Sequence, residues 1–159
     1  MHDTEPPTPV ALVAQQAPGR GSTNYPPEFA AKVRGRFKRP LGDAFGLNGF
    51  GVNLTTLEPG SQSSVMHRHT VQDEFVFVVS GELVLRHEGG EATLSAGTCA
   101  GFPAGGRAHC LVNRSDAPAT YLEIGDRRPG DTADYPEDDL VAVNVDGRWT
   151  YTRKDGSPY

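Results

Sequence analysis

From Gly49 onward the sequence breaks into short runs rich in β-branched and aromatic residues, cut by Gly, Pro, Asn and Asp: GFGVNLTTL, SSVMHRH, EFVFVVS, ELVLRH, EATLSA, TCAGFPA, HCLVN and ATYLEIG. Runs of this kind, recurring about every 8–12 residues, predict an all-β sandwich or barrel. EFVFVVS is nearly continuous in apolar residues, so its strand is expected to be central and covered on both faces. The 159 residues suit one domain able to bury most of its apolar surface, and no internal repeat is found.

The two ends read differently from this middle. Residues 1–22 are rich in Pro, Thr, Gln and Gly without an apolar period, and are expected to be a flexible tail ahead of a single domain over residues 23–159. PEFAAKV predicts a helical turn or two after Pro26-Pro27, and RGRFKRPLGDAFG is irregular with room for one short strand. Residues 126–159 form a C-terminal extension. It opens with the polar loop DRRPGDTADYPEDD, and VAVNVDGRWTYT then predicts a β-hairpin whose Asp146-Gly147 pair suits a type I′ turn. Val141, Val143 and Val145 on one arm, with Trp149 and Tyr151 on the other, are expected to make one apolar face. That face would close the end of the barrel or pack on a partner chain.

Fifteen Lys and Arg against 20 Asp and Glu give a net charge of −5, which argues against nucleic acid or an anionic membrane as the main partner and favours a small molecule. No apolar run approaches the roughly 18 residues of a membrane span, and MHDTEPPTPV lacks the pattern of a secretory signal, so a cytoplasmic location is expected. Cys99 and Cys110 are expected to be reduced and packed. A tight hairpin centred on Ala104-Gly105 would bring them face to face and permit a disulfide.

The chain has five histidines, and two fall in HRHTVQDEF. Side chains two apart on a strand share a face, so His67 and His69 project together while Arg68 points away. Glu74 opens the next strand after the connection TVQD and can return to the same point. His109, in GTCAGFPAGGRAHCLVN, is a fourth candidate. Neutral imidazoles with one carboxylate suit one divalent transition metal, with Zn, Fe, Mn, Ni and Co all open. His2 and His87 have no such company.

GSQSSVMHRHTVQDEFVFVVSG resembles the first motif of the cupin superfamily and GTCAGFPAGGRAHCLVN its second, in the same order, across about residues 50–125. Each motif carries one extra residue between its glycine and its histidine. DEFVFVVSGE, NRSDAPATYLEIGDRRPGD and the closing KDGSPY are similar to small single-domain bacterial cupins. The resemblance implies a double-stranded β-helix (jelly-roll) barrel in which His67, His69, Glu74 and His109 surround one metal ion.

Four ligands on an octahedral ion leave two adjacent positions and favour a small oxygenated anion as ligand. Arg107 shares the alternation of His109 and is expected at the cavity mouth, where its planar fork suits a carboxylate. Tyr121 and Glu123 alternate together as candidate proton donor or base. Val76 and Val78 share the parity of Glu74 and would form an apolar inner wall. Phe75, Phe77 and Val79 then need cover from the lead-in residues 25–47 or from a second copy in a homodimer. Two functions follow: a metal-dependent oxygenase, isomerase or lyase acting on a small metabolite, or a non-catalytic protein binding a sugar or sugar acid.

Overall fold

In the computed structural model, which describes residues 8–159, short antiparallel strands carry the chain. In order they are β1 (Arg36–Pro40), β2 (Phe50–Leu57), β3 (Arg68–His69), β4 (Glu74–Ser80), β5 (Glu82–His87), β6 (Gly90–Ser95), β7 (Cys99–Phe102), β8 (His109–Val112), β9 (Ala119–Asp126), β10 (Thr132–Tyr135), β11 (Leu140–Val145) and β12 (Arg148–Thr152). One sheet has the order β1-β2-β9-β4-β7. Facing it are the sheets β6-β5-β8 and β12-β11-β10-β3. Isolated bridges Gln62↔Val112 and His67↔His109 join these two along the segment that leads into β3. Leu57, Val76, Val78, Ala119 and Tyr121 of the first sheet pack on Leu83, Leu85, Leu94 and Leu111 of the second, which closes the double-stranded β-helix. Each fully buried aliphatic side chain here contributes about 1.5–3 kcal/mol.

Strand register grades the inner face of the five-stranded sheet from bottom to mouth. Leu57 pairs with Ala119, Thr55 with Tyr121, Asn53 with Glu123, and Gly51 with Gly125. On the neighbouring strand Val78 lies beside Tyr121, Val76 beside Glu123 and Glu74 beside Gly125. An apolar floor thus gives way to polar rungs as the barrel opens.

Several expectations need correction. The stretch read as a polar loop contains β10, whose Ala133 and Tyr135 are buried and pair with β11. Of the stretch read as a flexible tail, residues 1–7 lie outside the described residues, and so does His2. Residues 12–20 are docked instead: Ala17, Leu12 and Ala14 pack with Leu41, Leu54, Val52 and Leu122, and Arg20 exchanges backbone hydrogen bonds with Lys38. This strap holds only one short 3-10 turn (Ala14–Gln16), yet it buries apolar side chains over the outer face of β2 and β9. α1 (Pro27–Ala30) supplies the predicted helical turn, with Phe29 buried.

The C-terminal hairpin has the predicted turn, with Asp146 at φ 50° and Gly147 at φ 78°. Its faces, however, differ from the expected ones. A two-residue turn sets Val145 opposite Arg148, so Trp149 pairs with Asn144 and Tyr151 with Ala142. The inward face is therefore Leu140, Ala142, Trp149 and Tyr151, while Val143 and Val145 are exposed. That face packs on Tyr25, Phe29, Val65 and Tyr135 and covers one end of the barrel. On β4 the expected cover is missing in the single chain: Phe75, Phe77 and Val79 are 39%, 37% and 42% exposed, because the strap reaches only the β1–β2–β9 part of that face. β7 pairs with β4 and β8 with β5, so Cys99 and Cys110 sit on different sheets. Both are free thiols, Cys110 buried and Cys99 exposed rather than packed. No helix among the described residues is long and apolar enough to cross a membrane.

Candidate metal centre

His67 and His109 face each other across an antiparallel bridge, and their N–H groups exchange bonds with the opposite carbonyls at 3.2 and 2.8 Å. His69 follows on β3, and Glu74 returns at the mouth end of β4 after the Thr70–Asp73 connection. The four side chains thereby converge. Nε2 of His67, His69 and His109 lie 3.8, 3.7 and 3.2 Å from Glu74 Oε2. Ligand atoms of His67, His69 and Glu74 all lie within 4.8 Å of one another. His109 joins them through its hydrogen-bonding distance to Glu74.

The outer nitrogens fix how the rings present themselves. His67 Nδ1 is 3.0 Å from the Val65 carbonyl, and His69 Nδ1 is 2.6 Å from Asp131 Oδ2. These acceptors hold the proton on Nδ1 and leave Nε2 bare, which is the arrangement that a histidine ligand requires. Asp131 is fully buried, and its other oxygen accepts the N–H groups of Thr70, Val71 and Gln72 at 3.1, 2.9 and 3.3 Å. One carboxylate thus orients His69 and ties down the connection between His69 and Glu74. Sequence reasoning missed this residue. Packing holds the rings as well: Phe102 stacks on His109 at 3.4 Å, Tyr135 on His67 at 5.9 Å, and Trp149 stands edge-on to His69 at 5.6 Å.

Burial, aided by the neighbouring His109 and His69 and opposed by Glu74, pushes His67 down to about 3, so this imidazole is neutral. Burial pushes the Glu74 carboxyl up, but the His109 hydrogen bond and the surrounding imidazoles outweigh it and keep Glu74 ionised. The bare Nε2 atoms of His67 and His69 face the ionised Glu74 oxygen and are repelled by it unless a cation lies between them, whereas His109 Nε2 carries a proton to Glu74 that an ion would displace. The donor set therefore fits a divalent transition metal.

The centre lines a cavity of about 820 Å³. Two of the three candidate groups for further chemistry also line it. Tyr121 is fully buried, and its hydroxyl has no hydrogen-bond partner among the described residues. Glu123 Oε1 accepts from Lys38 Nζ at 2.7 Å and Asn53 Nδ2 at 3.1 Å. Arg107 does not reach the cavity. It lines a separate depression with His87, Phe102 and Pro103, because the tight loop after β7, held by Gly106 N–H to Pro103 O and Gly105 N–H to His69 O, delays regular alternation until His109. Val76 lies on the cavity wall as expected, while Val78 belongs to the core beneath it.

The cupin domain family model matches residues 53–125. Among solved structures, a cupin-superfamily sugar phosphate isomerase from Silicibacter pomeroyi shares 46% identity over 94% of this chain and 96% of its own, with a TM-score of 0.89. A candidate sugar phosphate isomerase from Acidithiobacillus ferrooxidans shares 31% identity over 78% of this chain and 80% of its own, with a TM-score of 0.71. A polyketide cyclase from Streptomyces resistomycificus, 16% identical over 76% of this chain and 82% of its own with a TM-score of 0.63, shares the fold. A search of curated proteins gives no match. Sequence identity near one half, sustained over almost the full length of both chains on the same barrel, makes this protein a member of the cupin superfamily.

Proposed function

We propose that this cupin is a metal-dependent isomerase of a small hydroxy-carbonyl metabolite, with sugar phosphates as the substrate class. The observation that carries the reading is the presence, in one cavity, of the close His67, His69 and Glu74 group, with His109 beside Glu74, and of a second carboxylate with one oxygen tied and one available. Lys38 and Asn53 both bind Oε1 of Glu123, and no hydrogen bond to Oε2 is recorded among the described residues. Two relatives, named as an isomerase and a candidate isomerase of sugar phosphates, support the substrate class.

His67, His69, Glu74 and His109 would hold the ion, which supplies Lewis-acid stabilisation of an oxygen on which negative charge develops. Glu123 lies one rung deeper than Glu74 on the same inner face. Its Oε2 takes the proton from the carbon next to the substrate carbonyl and returns it to the former carbonyl carbon, while a second proton passes between the two oxygens. Nothing is oxidised or reduced overall. Lys38 and Asn53 keep the carboxylate aimed throughout.

Metal analysis of protein purified without added metal, followed by NMR detection of interconversion across a panel of aldose and ketose phosphates, tests this reading. His67→Ala and Glu74→Ala are expected to lose the metal. Glu123→Gln is expected to keep it while kcat falls about 10²-fold or more. Full activity in Glu123→Gln, or saturable binding of the panel without any product, would overturn the isomerase assignment.

A further inference from the structure

We propose that Arg20 and Lys38 form a subsite for the phosphate ester end of the substrate, an inference that rests on the isomerase reading and extends it. Arg20 N–H donates to Lys38 O and Lys38 N–H to Arg20 O, both at 2.9 Å, an antiparallel bridge between the N-terminal strap and β1. Residues directly opposite in such a pair project to the same face, and both side chains line the metal cavity. Two like charges placed opposite each other repel, so this pair works against the stability of the unliganded chain. One carboxylate answers the two of them: Glu123 pairs with Lys38 at 2.7 Å.

The other cations of the cavity are already matched. Arg127 pairs with Asp43, and Arg128 pairs with Asp126 at 2.8 Å and Asp73 at 3.2 Å. Arg20 is exposed, lines the cavity and makes no ion pair among the described residues, which leaves its donors available. A fork beside an ammonium group suits a phosphate monoester, which accepts several charge-assisted hydrogen bonds at once.

The position suits the substrate as well as the charge does. β1 and β4 are separated by β2 and β9 in the sheet, about 14 Å at the usual strand spacing. Arg20 and the candidate metal ligands line one cavity across that sheet, which suits an extended sugar phosphate with its carbonyl at the metal centre and its phosphate at Arg20. The strap is held in place by Gly19. A Cβ there would stand 2.5 Å from Phe37 Cε1 and 2.9 Å from the Lys38 carbonyl, so only glycine lets the strap lie this close to β1.

Calorimetric titration of the metal-loaded protein with inorganic phosphate, a hexose phosphate and the corresponding free hexose provides the test. In Arg20→Gln the two phosphate probes are expected to bind roughly tenfold more weakly or worse, with the free hexose unchanged. Gly19→Val, which displaces the strap without removing a charge, is expected to give the same selective loss. Lys32→Gln, which removes a cation paired with Asp138 away from the cavity, serves as control and is expected to bind like wild type. Phosphate affinity retained in Arg20→Gln, or an equal loss for the free hexose, overturns the subsite. A protein that turns over no sugar phosphate yet shows Arg20-dependent phosphate binding would refute the isomerase reading and leave the subsite standing.

Discussion

Replacing Asp131 should separate the organisation of the metal centre from the stability of the barrel. Its Oδ2 lies 2.6 Å from His69 Nδ1, and its Oδ1 gathers the N–H groups of Thr70, Val71 and Gln72. Asp131→Ala removes a charged acceptor from four donors, each such bond worth about 1.5–3 kcal/mol. Thr70 is exposed and Val71 and Gln72 are half-buried, so water replaces part of the loss. The expected destabilisation is about 3–5 kcal/mol.

Asp131→Asn is the more informative change. The amide oxygen still serves the backbone donors, and the amide nitrogen then faces His69 Nδ1. Two donors cannot share that contact, so the ring moves its proton to Nε2, where it points at Glu74. Metal affinity should fall about 10–100-fold, or roughly 1.4–2.8 kcal/mol. Competition with a chromophoric chelator measures the affinity, and the urea midpoint of the metal-free protein confirms that the fold survives. A folded Asp131→Asn protein binding metal within twofold of wild type would refute the tautomer argument.

The metal-free protein should lose stability on acidification in two stages. Native His67 refuses a proton until about pH 3, while the unfolded chain accepts one below about 6.5. Stability should therefore fall by about 1.4 kcal/mol per pH unit through that window. Glu74, held below its ordinary 4.5, adds a further loss as pH drops below that value. Urea midpoints in chelator between pH 7 and 4 check the slope, and a flat profile would contradict it. The strap stops short of Phe75, Phe77 and Val79, which leaves a second copy of the chain as the cover we propose for that face. Phe77→Glu should then sediment as a monomer where wild type sediments as a dimer, and a monomeric wild type would remove the proposal.

The strands from β4 to β9 are legible in the sequence because they are short runs rich in β-branched and aromatic residues whose turns carry Gly or Pro. A period of two places His67 and His69 on one face. What escaped notice had weaker local signals. β10 alternates through only Ala133 and Tyr135 amid acidic residues, so its composition reads as a loop, although an Asp just after Pro129-Gly130 and ahead of that alternation was the available clue. Parity along each arm of the C-terminal hairpin does not give its apolar face, because the count of residues in the turn decides which arm positions meet. Arg107 failed for a related reason, since strand parity does not extend back through a loop that contains Gly105 and Gly106. The docked strap depends on long-range packing against Leu41 and Leu54, which no local pattern encodes.

Asp131 also sets an order of events during synthesis. A nascent chain that has emerged only to Gly125 already bears all four candidate ligands, but nothing yet holds the proton on the outer nitrogen of His69. Capture of the ion in its final form therefore waits for β10 to dock, and a fragment truncated before Asp131 should be released from the ribosome as a poor scavenger of metal.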